Sequence, residues 1–150
     1  MSNVFITAET LEAISEIANR RDKQQIIDCE NQLYKMLSGG VRAAKQDGTD
    51  FVVRVIDRKV GKTYCLARAA IEYNLPVVTA NHDMGECVKR EAMQLFGESI
   101  AIINIRGNCQ GADYCPIVLK EECATVEEIE RKISNRGRKT VIVGFASMYE

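Results

Sequence analysis

Lys62 and Thr63 stand directly after Gly61, at the end of Val53-Arg54-Val55-Ile56-Asp57-Arg58-Lys59-Val60 and directly before Tyr64-Cys65-Leu66-Ala67-Arg68-Ala69-Ala70-Ile71, a helical pattern. A loop that leaves a strand and enters a helix aims backbone N–H groups and the positive end of the helix dipole at one spot, where an anion is stabilised. There the Lys62 ammonium reaches β- and γ-phosphates, and the Thr63 hydroxyl holds Mg²⁺. The full pattern G-x-x-x-x-G-K-[ST] has a glycine five positions before the second one, and Ile56 occupies that position. A side chain there restricts the backbone's approach to a phosphate. An ordinary strand-to-helix turn is the competing reading.

Binding needs only the loop; hydrolysis also needs one carboxylate for Mg²⁺ and another to orient water. Glu121 and Glu122 close the apolar run Pro116-Ile117-Val118-Leu119 and are the candidates. They also read as the acidic first turn of a helix from Thr125, where negative charge complements the dipole. Asp57 and Asp113 are weaker stand-ins for a metal carboxylate. Ser147, after the last strand, could sense a γ-phosphate or a water, or could close a buried strand. Asn81 or Asp83 reads as a helix cap, His82 as a surface or capping residue rather than a base. Arg131, Arg136 and Arg138 read as a solvated face or, in an assembly, as a source of an arginine finger.

The elements that must position these groups follow from periodicity. Thr10–Ala18 and Lys23–Leu37 carry apolar residues at helical spacing, and Ser38-Gly39-Gly40 reads as the end of the second of two N-terminal helices. Strands are expected over 51–56, 76–80, 99–105, 116–119 and 139–145, and helices over 62–73, 84–96 (closed by Gly97) and 125–134. Strands apolar on consecutive positions and separated by helices require a parallel sheet covered on both faces. The expected class is α/β, a three-layer sandwich with a mainly parallel sheet preceded by two N-terminal helices. In such sheets ligands bind outside the carboxyl ends of the strands.

With 150 residues and 46% hydrophobic composition, one domain is expected over 1–150, a helical segment over 1–40 leading into a core over 51–147. The 20 Lys+Arg nearly balance the 21 Asp+Glu, so no global field argues for nucleic acid or an acidic lipid surface. No apolar stretch has the length of a membrane span and the N-terminus has no leader pattern, so a soluble cytoplasmic protein is expected. The six cysteines include no C-x-x-C pair, and Cys109, Cys115 and Cys123 match no zinc spacing, so reduced thiols are expected.

With these residues placed, the chain resembles a P-loop NTPase of the RecA-like, additional-strand class. Its loop is most similar to the deviant Walker A of phage large terminases and helicase-like ATPases, Ser-Arg-x-x-Gly-Lys-Thr, against Asp57-Arg58-Lys59-Val60-Gly61-Lys62-Thr63 here. That family tolerates the missing glycine and sets an arginine at the Arg58 position, facing the phosphates; Asp57 is the departure. The resemblance implies a nucleotide site formed by Arg58, Lys59, Val60, Gly61, Lys62, Thr63 and Tyr64, Mg²⁺ on Thr63 and Glu121, and catalysis by Lys62, Glu121 and Glu122.

In the same class an apolar strand ends in Asp-Glu. If Glu121 takes the second slot, Lys120 stands at the metal-binding Asp; one residue later, Glu121 and Glu122 fill both slots. Gly144-Phe145-Ala146-Ser147 resembles the sensor motif that follows. A lone lobe implies a homo-oligomer or a partner protein completing the site, and a phage or mobile-element origin. The resulting expectation is ATP binding with Mg²⁺-dependent hydrolysis. The alternatives are a hydrolysis-deficient sequestering or regulatory module, to which Lys120 points; a small-molecule kinase with Arg106–Gly111 in a lid; and a scaffold holding a structural anion.

Overall fold

Each strand of this chain presents apolar side chains in succession, and the structure buries them by placing helices on both faces of one sheet. The computed structural model describes residues 8–55, 61–107, 115–133, 139–147 and 150, with the backbone alone for 8–12 and 14–22. In chain order the elements are α1 (Ala8–Asp47), β1 (Phe51–Val53), α2 (Lys62–Tyr73), β2 (Val77–Thr79), α3 (His82–Phe96), β3 (Ile102–Asn104), β4 (Ile117–Lys120), α4 (Val126–Ile133) and β5 (Val141–Phe145). The strands form one sheet in the order β1-β5-β4-β2-β3, and every pairing is parallel. The α/β class is as expected.

Alternation along the strands divides the core in two. Val77, Leu119 and Val143 face a cluster with Leu37, Val41, Leu66 and Ala70, under α1, α2 and α3. Their neighbours Val78, Val118 and Ile142 face Ile129 and Ile133 of α4. The sheet order explains this division. From β1 through β2 to β3 the chain moves one way across the sheet, and from β4 to β5 it moves back. Right-handed crossovers then put α2 and α3 on one face and α4 on the other.

The two expected N-terminal helices are one. α1 is a continuous helix of 40 residues that runs through Ser38, Gly39 and Gly40. Glycine weakens a helix interior by roughly 1 kcal/mol relative to alanine, but Gly40 lies under β1. A Cβ on it would meet the Phe51 ring at 2.4 Å. The glycine thus lets the helix approach the sheet, and burial of Leu37, Val41 and Ala44 beside it holds the turn together. The helix ends instead at Gly48, whose N–H bonds to the Ala44 carbonyl at 3.0 Å.

Candidate functional site

The chain leaving β1 passes to α2 on one face and the chain leaving β4 passes to α4 on the other, and the carboxyl ends of these parallel strands share the sheet edge at which open α/β sheets take ligands. β5 lies between them. α2 starts at Lys62 with Gly61 as its N-cap, at φ 90° and ψ 27°. That left-handed conformation suits glycine, and a Cβ there would lie 2.4 Å from Glu30 Cγ. No side chain caps α2 and its first turn holds no acid. By contrast, Asn81 caps α3, accepting from Met84 N at 3.0 Å, and Thr125 with Glu128 caps α4. The first N–H groups of α2 thus have no side-chain hydrogen-bond cap among the described residues.

Lys62 and Glu122, 60 residues apart in sequence, meet here: Lys62 Nζ donates to Glu122 Oε2 at 2.5 Å. The lysine side chain is 15% exposed and the glutamate 43%, so the pair is reached by solvent rather than shut in the core. Thr63 is half-buried in the first turn. The Tyr64 ring packs against Phe96, centroids 5.7 Å apart, leaving its backbone N–H as its contribution to the helix start. Arg58, Lys59 and Val60, with Ile56 and Asp57, lie outside the described residues.

Glu121 follows β4 and is 4% exposed. No N–H or O–H group among the described residues donates to either of its carboxylate oxygens, and the Cys123 thiol is the donor within reach. A buried carboxylate with so weak a donor is costly. It lies close to Cys123, whose thiol pKa burial first and Glu121 second push up to about 11. Neither Glu121 nor Glu122 belongs to α4, whose acidic first turn consists of Glu127 and Glu128.

Lys120 turns away from any metal role. It is fully buried, and its Nζ donates to the Phe145 carbonyl at 2.5 Å and pairs with Glu150 Oε1 at 2.8 Å. Glu150 also accepts from Ser147 N at 2.9 Å and Val126 N at 3.0 Å. Burial alone would raise its pKa, but Lys120 and these two N–H groups bring it below the ordinary carboxylate value. Lys120 therefore ties the ends of β4 and β5 together, and the acids that follow β4 are Glu121 and Glu122.

His82 is exposed beside Glu86, and Arg131 is exposed; Arg136 and Arg138, like Cys109 and Asp113, lie outside the described residues. Arg106 is held in an ion pair with Glu128 and donates to the Cys123 carbonyl. Sequence reasoning missed Glu30 and Glu150, whose partners are distant in sequence. The Thr125-x-x-Glu128 capping box was readable. Among the described residues no three His, Cys, Asp or Glu side chains gather as a metal cage, and no helix is long and apolar enough to cross a membrane. Compared with known proteins, the chain matches no family model, no curated protein and no solved structure.

Proposed function

We propose that this chain binds a nucleoside triphosphate, ATP in the first instance, at the sheet edge shared by the carboxyl ends of β1 and β4, and hydrolyses it with Mg²⁺. The observation that carries the reading is the Lys62–Glu122 contact, which joins a Gly-Lys-Thr helix start to an acidic strand end. The strand order supports it, because β5 stands between the phosphate-loop strand and the acidic strand, as an additional strand should.

In this reading the N–H groups at the start of α2 hold phosphate oxygens, and Lys62 exchanges Glu122 for the β- and γ-phosphates. Glu122, released where solvent has access, is then an acceptor able to orient water. Mg²⁺ fits the chemistry of the residues present: Thr63 and Glu121, whose buried oxygens have no N–H or O–H donor among the described residues, would hold it alongside phosphates and waters, and it would supply charge neutralisation at the transferring phosphoryl group. A homo-oligomer or partner protein would complete a one-lobe site.

Phosphate release from Mg-ATP tests the reading. K62A should lose binding and turnover together, whereas E122Q should retain binding and lose about 100-fold or more in rate. A rate unchanged by K62A contradicts it. Binding without turnover is the second reading, favoured by Lys120 in the slot before the acids; tight ATP binding with no phosphate release in the wild-type protein would establish it.

A further inference from the structure

Glu30 is the group that the nucleotide reading leaves unused. It lies on α1 but packs over the start of α2: its Cγ, Cδ and Oε1 would stand 2.4, 3.2 and 3.3 Å from a Cβ built on Gly61. The surrounding contacts fix this placement. One turn further along α2, Cys65 Sγ donates to the Glu30 carbonyl at 3.5 Å, and Arg68 lies 3.8 Å over the Tyr34 ring. α1 is thus clamped onto the first turns of α2 from Glu30 to Tyr34. The Cys65 thiol, pushed up to about 12 by burial first and by Glu30 second, registers the carboxylate's field.

A carboxylate against the glycine that opens a phosphate-binding helix repels the phosphate for which that helix end is suited. Lys62, the described cation at the helix start, is itself paired with Glu122. A bare nucleotide would bring further negative charge beside Glu30 and Glu122, whereas a nucleotide complexed with a divalent cation brings much less. We propose that Glu30 is a specificity-determining residue of this site, its carboxylate disfavouring metal-free phosphates and admitting the Mg²⁺ complex. The inference rests on the nucleotide reading above, and it makes α1 part of the ligand's selection rather than a support alone.

Calorimetric titration of the full chain with ADP, once with Mg²⁺ and once with EDTA, tests it. Removing one carboxylate several ångströms from a phosphate in a half-exposed site is worth about tenfold in affinity. E30Q should therefore gain about tenfold for ADP in EDTA and much less for Mg-ADP. E30A should show the same gain, and E30D, which keeps the charge, should follow the wild type. Equal EDTA affinities for wild type, E30Q and E30A, with binding lost in K62A, would overturn the role of Glu30 and leave the nucleotide reading standing. Failure of every variant, wild type included, to bind ADP under either condition would overturn both.

Discussion

Glu122 and Lys120, two residues apart, show how context assigns a charged side chain its work. Glu122, beyond the strand end, reaches Lys62 where solvent has access, while Lys120 is shut in the core and neutralised by Glu150. Burying an ion pair is weak evidence of stability, because desolvation offsets much of the attraction. Glu150's additional hydrogen bonds from Ser147 and Val126 complete the set and join the β5 end to the start of α4. The ion pair between Arg106 and Glu128 has a measurable consequence. The Arg106 hydrogen bond, against some burial and with help from Thr125, lowers the Glu128 pKa from the ordinary 4.5 to about 2. The folded-state value is depressed, so its stabilisation is present above pH 4.5 and is lost as pH falls towards 2. Stability measured by urea unfolding should decline through that window. E128Q should remove part of the decline, a modest part because Arg106 is half exposed; an unchanged pH profile would show that the pair contributes nothing.

Among the elements, α1 departs furthest from what the sequence suggests. The apolar runs and their breaks revealed each strand and the three later helices, because burial on both faces leaves a strong local pattern. The capping signal at Asn81 and the closing glycine of α3 were local as well. The Gly39-Gly40 pair misled for a tertiary reason: Gly40 exists to let Phe51 approach, and nothing within the helix reveals that. Glu30 on Gly61 and Glu150 on Lys120 were illegible for the same reason, each joining segments about 30 residues apart. α1 is also unevenly anchored. Leu37 is 1% exposed and Val41 fully buried, whereas Ile26 and Ile27 are about half exposed. L37A should therefore cost about 3 kcal/mol of unfolding free energy, and I27A less than about 0.5 kcal/mol. Similar costs for the two would mean that the N-terminal stretch of α1 is packed in solution.

At the scale of the molecule, the order β1-β5-β4-β2-β3 sends one set of loops to each face, and the Gly61-Lys62-Thr63 helix start and the Glu121-Glu122 strand end meet where the two sets part. Each half was legible in the sequence, the first as an incomplete loop and the second in two registers. Their juxtaposition, and the burial of Lys120, required the fold. If nucleotide binding is the purpose of that meeting, a ligand that selects the folded state must stabilise it by mass action. The most direct measurement is thermal unfolding of the wild-type protein and K62A with and without Mg-ATP. At a ligand concentration near one hundred times Kd, the wild-type Tm should rise by about 5 °C or more. K62A should not shift. A wild-type Tm unmoved by ATP, GTP or their diphosphates, or a shift of the same size in K62A, would contradict the nucleotide site.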